Sequence, residues 1–234
     1  MIEAILWDFG GVITSSPFEA FTAYEKQHNL PTDFIRGINA TNPDNNAWAQ
    51  FESNEISADT FDALFAKEAE LAGHRVAGSD VLALLSGSIR PRMVNVLKTC
   101  KTHYKIGCIT NNVKSGAGPG MASSSKKAQQ VAEVMALFDH VVESSELGIR
   151  KPNPRIYEVA CEALGVAAAN CVFLDDLGIN LKPAKAQGMQ TIKVLSEAQA
   201  IAELEASRAL HCRRPRPRCA QLHGLFQQRP VQLE

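Results

Sequence analysis

Five short apolar runs alternate along the chain with longer segments of helical periodicity. The apolar runs are Glu3–Phe9, Lys105–Thr110, His140–Glu143, Cys171–Leu174 and Thr191–Leu195. Near-continuous apolar runs of this length are typical of parallel strands that are buried on both faces. The helical patterns cover Pro91–Thr102, Lys126–Phe138, Pro154–Leu164 and Ile179–Gln187. The alternation predicts an α/β fold with a doubly wound, Rossmann-like parallel sheet, whose ligand site lies beyond the carboxyl ends of the strands.

The alternation is interrupted between residues 15 and 89. This stretch has helical patterns at Pro17–His28 and Ser57–Gly73 but no convincing strand. It is too long to be a loop within a compact domain. We therefore predict an inserted α-helical cap at 15–89, lying over a core domain formed by residues 1–14 and 90–206.

The charge of the chain is balanced overall but unevenly distributed. The formal net charge is −1, which gives no reason to expect nucleic acid or an anionic membrane as a partner. Residues 207–234 contain six arginines against one acid, Glu234, together with three prolines and no sustained apolar period. We predict that this basic tail is disordered. The Gly- and Ser-rich stretch at 116–125 is likewise predicted to be a flexible loop.

The sequence carries no pattern typical of secretion or membrane insertion. It opens directly into a strand pattern, and no apolar run approaches the ~20 residues that span a bilayer. The six cysteines are scattered and form no CxxC pair. A reduced, cytoplasmic protein is the expected class.

Polar side chains end or follow four of the predicted strands, and parallel strands would bring them to one edge of the sheet. They are Asp8 after the first strand, Thr110 and Asn111 at the end of the second, Lys151 after the third, and Asp175, Asp176 and Asn180 after the fourth.

Most of these residues have an ordinary structural explanation when each is considered alone. A strand-terminal aspartate such as Asp8 often caps the following turn, and Thr110 has a side chain that strands favour. Asp175 and Asp176 are harder to explain in this way, because converging carboxylates repel each other unless a cation lies between them. The joint occurrence of these groups at strand ends predicts a functional site that binds a cation.

With these motifs in place, residues 1–206 resemble the haloacid dehalogenase-like hydrolase superfamily. All four motifs of that superfamily have a counterpart here. Within it, the segments ITNN, KPNPRIYE and VFLDDLGINLKPAKAQGM are similar to the phosphatase domain of soluble epoxide hydrolases and their bacterial relatives. The order, the spacing and the strand context of the motifs all agree with this resemblance.

The resemblance implies a role for each of these residues. Asp8 would be the nucleophile and form a covalent aspartyl intermediate. Thr110, Asn111 and Lys151 would bind the transferring phosphoryl group of a small phosphorylated metabolite. The implied cofactor is Mg²⁺, with ligands or water-mediated supports from Asp8, the carbonyl of Gly10, Asp175, Asp176 and Asn180.

One position departs from the superfamily pattern. Phosphatases of the superfamily usually carry a second aspartate two residues after the nucleophile, as general acid and base, and here that position is Gly10. Three functions therefore stay open: a Mg²⁺-dependent phosphatase or phosphotransferase, a 2-haloacid dehalogenase, whose halide leaving group needs no acid, and a phosphate- or partner-binding protein with weak turnover. The intact Asp175–Asp176 pair favours the first over the second.

The sequence does not indicate the physiological substrate or the oligomeric state. Substrate specificity in this architecture lies in the cap, where no signature is recognisable. Its aromatic side chains are interpreted as cap core rather than as a substrate cage. They are Trp48, Phe51, Phe61 and Phe65.

Overall fold

The computed structural model of the protein describes residues 1–113 and 125–209. Within them, five parallel strands form one sheet: β1 (Ala4–Trp7), β2 (Lys105–Thr110), β3 (His140–Glu143), β4 (Cys171–Asp175) and β5 (Gln190–Lys193). The strand order is β3-β2-β1-β4-β5. The predicted α/β parallel sheet is confirmed, and the strand bounds differ from the predicted ones by at most two residues.

Eleven α-helices and one short 3-10 helix (Ala168–Asn170) accompany the sheet within the described residues. The α-helices are α1 (Pro17–Gln27), α2 (Phe34–Ala40), α3 (Ala47–Glu52), α4 (Ala58–Leu71), α5 (Gly78–Ala83), α6 (Pro91–Lys101), α7 (Ser125–Met135), α8 (Ser144–Leu147), α9 (Pro154–Leu164), α10 (Gly178–Ala186) and α11 (Glu197–Ala209). Helices α6, α7 and α11 pack on one face of the sheet, and α9 and α10 pack on the other. The strands are apolar on both faces because each face is covered by helices.

Helix α11 was not predicted from the sequence. Its buried positions are Ala200, Ile201 and Leu204. One of these three side chains is small, and the segment is rich in alanine on its other faces too. The buried face is therefore hardly more hydrophobic than the rest of the helix, so the helical periodicity of hydrophobic residues is weak. The helix extends to Ala209 and therefore includes the first three residues of the predicted disordered tail. Residues 210–234 of that tail and most of the predicted loop at 116–125 lie outside the described residues.

The first five helices share a hydrophobic cluster of their own. Phe51, Phe61 and Phe65 are buried in it, and Trp48 packs against its edge. Their interpretation as a hydrophobic core is thus confirmed. We call residues 15–89 the cap segment.

The two ends of the cap segment lie side by side where the chain passes from the core into the cap segment and back; we call this place the crossing. Thr14 and Ile89 form an antiparallel bridge, and the Ser15 backbone N–H donates to the Ser88 carbonyl at 2.8 Å. The crossing coincides with the boundaries that were placed at 14/15 and 89/90. The division into two domains stays a prediction.

Among the described residues, no helix is both long and apolar enough to cross a bilayer.

Candidate active site

Asp8 lies just beyond the carboxyl end of the central strand β1. Its backbone N–H donates to the Leu174 carbonyl of β4 at 2.8 Å, so the sheet fixes the main chain at this position. Its side chain is buried, and Oδ1 accepts a hydrogen bond from the Phe9 backbone N–H at 2.7 Å. Strand order reverses around β1, and the crevice at such a reversal is where open α/β sheets bind ligands.

Lys151 reaches the same crevice from the loop before α9. Its ammonium group lies 2.9 Å from Asp8 Oδ1 and 2.8 Å from Asp175 Oδ2, and the side chain is 1% exposed. Lys151 is therefore a buried cation between two carboxylates and not a solvated surface residue.

Asp175 ends β4 and is held on both carboxylate oxygens. Oδ1 accepts from the Leu177 backbone N–H at 2.8 Å, and the Asn180 amide lies 3.1 Å from each oxygen. The main-chain carbonyl of Asn180 in turn accepts from the Tyr157 hydroxyl at 2.7 Å. Asn180 thus orients Asp175, and Tyr157 orients Asn180.

Asp176 packs directly against the turn that follows Asp8. Gly11 has a φ of +73°, and a Cβ atom at this position would overlap the Asp176 carboxylate. The Ser16 hydroxyl donates to Asp176 Oδ2 at 3.2 Å. Glycine is required at position 11 both for its backbone conformation and for this close approach.

The three carboxylates form a cluster suited to a hard divalent cation. Asp8, Asp175 and Asp176 each place an oxygen within 4.8 Å of the others. The ammonium of Lys151 compensates only one of the three charges, so two negative charges are left when all three are ionised. Oxygen ligands and this charge fit Mg²⁺, which prefers carboxylates together with water and substrate oxygens.

The pKa shifts of the charged side chains in this cluster agree with a site for a further cation. Burial, with added repulsion from Asp175 and Asp176, raises the pKa of Asp8 well above its usual value, although Lys151 opposes the shift. Burial and the charge of Asp175 raise the pKa of Asp176 to about 6. Burial lowers the pKa of Lys151, but Asp175 and Asp8 outweigh it, so the pKa is raised and the side chain stays charged.

Thr110 and Asn111 occupy the adjacent strand end. Thr110 is buried at the end of β2, which pairs with β1. The Asn111 side chain holds the main chain of Lys151, since its Oδ1 accepts from the Lys151 N–H at 2.8 Å and its amide donates to the Lys151 carbonyl at 3.0 Å. The structure thus brings Asp8, Thr110, Lys151 and the acid pair together. Their roles in binding and catalysis stay predictions.

Gly10 lies beside Asp8 with open space around its α-carbon. A Cβ atom built at Gly10 meets no atom within 4 Å. A Cβ atom is therefore accommodated there without displacing its neighbours. The space next to the Gly10 α-carbon therefore does not by itself require glycine at this position.

Four residues of the site were missed by the reasoning from sequence. They are Ser16, Glu52, Arg150 and Tyr157. Ser16 and Glu52 belong to the cap segment and reach core residues that are about a hundred or more positions away in the chain. No local pattern reveals such contacts. Tyr157 carried a weak signal, because it lies on the apolar face of α9 and has a hydroxyl that needs a buried partner.

Comparison with known proteins places the site in a family. A family model for haloacid dehalogenase-like hydrolases matches residues 2–188. The chain is 30% identical over 87% of its length to mouse bifunctional epoxide hydrolase 2, and 29% identical over 82% of its length to a phosphatase of Mycobacterium tuberculosis, of which it covers 87%.

The chain spans only part of some relatives. It covers 38% of the mouse epoxide hydrolase, and 19% of mouse acyl-CoA dehydrogenase family member 10, to which it is 31% identical over 87% of its own length.

Among solved structures, a haloacid dehalogenase family enzyme from Bacteroides thetaiotaomicron, in complex with magnesium and inorganic phosphate, matches with a TM-score of 0.55 and 20% identity. The match covers 82% of this chain and 93% of that one. The resemblance in fold, the four motifs and the family match lead to one conclusion: the chain belongs to the haloacid dehalogenase-like hydrolases.

Proposed function

We propose that this hydrolase is a Mg²⁺-dependent phosphatase or phosphotransferase that acts on a small phosphorylated metabolite through an aspartyl-phosphate on Asp8. The observation that carries the proposal is the buried arrangement of Asp8, Lys151 and the acid pair at the ends of neighbouring strands. The phosphatases among the relatives support the choice of a phosphate ester over other substrates.

Asp8 attacks the phosphorus atom with the carboxylate oxygen that its neighbours leave available. Oδ1 accepts hydrogen bonds from the Phe9 N–H and the Lys151 ammonium. Among the described residues, no hydrogen bond reaches Oδ2, so Oδ2 is the attacking atom. A P–O bond to Asp8 forms, the ester P–O bond breaks, and the leaving group departs as the alkoxide with the bonding electron pair and takes up a proton from water.

Water then attacks the phosphorus of the aspartyl-phosphate, inorganic phosphate is released, and the Asp8 carboxylate is regenerated. Lys151 neutralises negative charge beside the transferring group, and the Thr110 hydroxyl donates to a phosphoryl oxygen. Asp8, the Gly10 carbonyl and Asp176 would hold Mg²⁺, with support from Asp175 and Asn180, and the bound ion would compensate the charge of the phosphoryl oxygens. Asp175 positions Lys151 through their ion pair.

A carboxylate introduced at position 10 is expected to raise turnover of alkyl phosphates. Gly10→Asp places an acid in open space beside Asp8, and general acid–base assistance typically contributes ~10²–10⁴-fold. We expect kcat for an alkyl phosphate to rise by about 10²-fold, with a far smaller change for p-nitrophenyl phosphate, whose leaving group needs no proton. Gly10→Asn, similar in size but without a transferable proton, serves as the control. An equal rate for Gly10→Asp and Gly10→Asn would show that the missing acid does not limit turnover.

Mg²⁺ is expected to stabilise the protein more at pH 7.5 than at pH 5. The pKa of Asp176 is raised from 3.8 to about 6 without a metal, so its ionised form destabilises the metal-free fold, and this cost grows as the pH rises through about 6. Protons also compete with Mg²⁺ for the carboxylate, which weakens Mg²⁺ binding about tenfold at pH 5 through Asp176 alone. The increase in Tm on adding Mg²⁺, measured at both pH values, checks this. In Asp176→Asn, the increase in Tm on adding Mg²⁺ should be nearly the same at the two pH values. An increase that is independent of pH in the wild type would exclude Asp176 as a ligand.

A 2-haloacid dehalogenase is the second candidate, and Gly10 is the observation that favours it. A halide leaves without a proton, so attack of Asp8 on carbon needs no acid at position 10. The acid cluster argues against it, because the family dehalogenases lack the metal-binding acid pair that is present here. A screen of phosphorylated metabolites and 2-haloacids, each with and without Mg²⁺, separates the two. Mg²⁺-dependent release of phosphate supports the proposal, and metal-independent release of halide would overturn it.

A further inference from the structure

Glu52 ends helix α3 of the cap segment, but its carboxylate contacts the core. Oε2 accepts hydrogen bonds from Arg150 Nε at 2.7 Å and from the Asn111 amide at 3.3 Å. Asn111 directly follows Thr110, and Arg150 directly precedes Lys151. A single carboxylate of the cap segment therefore holds the neighbours of two proposed phosphoryl-binding residues.

The connection from Glu52 to Lys151 is continuous. Asn111 binds both the N–H and the carbonyl of Lys151, at 2.8 Å and 3.0 Å, and uses the same amide group to reach Glu52. Arg150 makes a second contact with the cap segment, since its guanidinium donates to the Pro43 carbonyl at 2.9 Å. The backbone position of Lys151 is thus fixed by side chains that are themselves fixed by the cap segment.

The burial of this ion pair makes it more than a surface contact. Exposed ion pairs contribute little to stability. The Glu52 side chain is 9% exposed and that of Arg150 23%, and a short hydrogen bond between charged partners is stronger than one between neutral groups. Removing one partner from such a pair leaves the other poorly solvated.

We infer that Glu52 is a positioning residue, through which the packing of α3 against the core determines the position of Lys151. The inference rests on the proposed function, in which Lys151 neutralises the transferring group. With α3 against the core, Glu52 holds Arg150 and Asn111, and Lys151 lies between Asp8 and Asp175. When α3 moves away these bonds are lost and the Lys151 loop loosens.

Three variants of the full chain test this: Glu52→Ala, Glu52→Gln and Glu68→Ala. Glu68 is the matched control, since its carboxylate accepts from the Ala47 N–H within the cap segment. With saturating Mg²⁺, Glu52→Ala is expected to lower kcat for p-nitrophenyl phosphate about 10- to 100-fold, the size typical of a small misplacement of a reacting group, with KM changed much less. Glu52→Gln should recover most of kcat, because its amide oxygen still accepts from both donors. Glu68→Ala should affect Tm but not kcat.

Hydrogen exchange provides a readout that does not depend on catalysis. In Glu52→Ala, amide exchange of a peptide containing Arg150 and Lys151 should accelerate, because Asn111, which accepts from the Lys151 N–H, is no longer held by Glu52; in Glu68→Ala it should not. Equal exchange in the two variants, or a fall in kcat that Glu68→Ala reproduces, would overturn the coupling. If the wild-type protein hydrolyses no phosphate ester, the proposed function fails while exchange still decides the coupling. Should Glu52→Ala not fold, Glu52→Asp takes its place, because its shorter side chain withdraws the carboxylate from Arg150 and Asn111, and exchange at the wild-type rate in that variant would overturn the inference.

Discussion

Replacing Asp8 by asparagine is expected to lower hydrolysis of an activated aryl phosphate by on the order of 10⁴-fold or more. The amide nitrogen takes the place of Oδ2, the proposed attacking atom. The amide oxygen can still accept the hydrogen bonds that Oδ1 accepts from the Phe9 N–H and Lys151. The fold should therefore be retained while the covalent step is lost. Initial rates with p-nitrophenyl phosphate and Mg²⁺ measure the first effect.

Thermal unfolding separates this loss from misfolding. Because burial and two neighbouring carboxylates raise the pKa of Asp8, its ionised form costs stability near neutral pH in the metal-free protein. Asp8→Asn removes that cost, so its metal-free Tm at pH 7.5 should equal or exceed that of the wild type. Asp59→Asn, at an exposed position of α4, is the control and should change neither rate nor Tm. Mg²⁺-dependent turnover that survives in Asp8→Asn would rule out Asp8 as the nucleophile.

Replacing Lys151 by methionine is expected to cause both a large loss of stability and a loss of activity. The ammonium is the cation that lies between Asp8 and Asp175, and the side chain is almost fully buried. Removing one partner from a buried ion pair typically costs 3–5 kcal/mol, which in a chain of this size lowers Tm by on the order of 10 °C. Phosphate hydrolysis should fall with it, since nothing then neutralises the transferring group from this side.

The pH dependence of the Lys151→Met variant identifies the cause. Without the ammonium, which opposes the shift, the pKa of Asp8 rises further, and the destabilisation is present above that pKa and disappears as the carboxyl is protonated. Circular dichroism melts should therefore show a smaller loss of Tm at pH 5 than at pH 7.5. Lys182→Met, at an exposed position of α10, is the control and should match the wild type. A loss of Tm that does not vary with pH would indicate lost packing instead of uncompensated charge.

The sheet of the core was predictable because its signal is local. A strand that is buried on both faces is apolar along most of its length, so runs such as Lys105–Thr110 and Cys171–Leu174 stand out without knowledge of their neighbours. Helix α11 was missed because its inner face includes Ala200 and only two larger apolar side chains. Packing against the sheet, which the local sequence does not encode, determines that this segment is a helix of the core.

The sequence by itself determined which groups gather at the carboxyl edge of the sheet: Asp8, Thr110, Lys151, Asp175 and Asp176 each end or follow a strand, and parallel strands carry such positions to one edge. It also revealed that an acid is missing at Gly10. Only the tertiary structure decided how these groups are held. Ser16 reaches Asp176 across 160 positions of sequence, and Glu52 reaches Arg150 across 98. Contacts between the cap segment and the core depend on how two separately packed parts dock against each other. Neither the hydrophobic periodicity nor the motif spacing predicts such contacts.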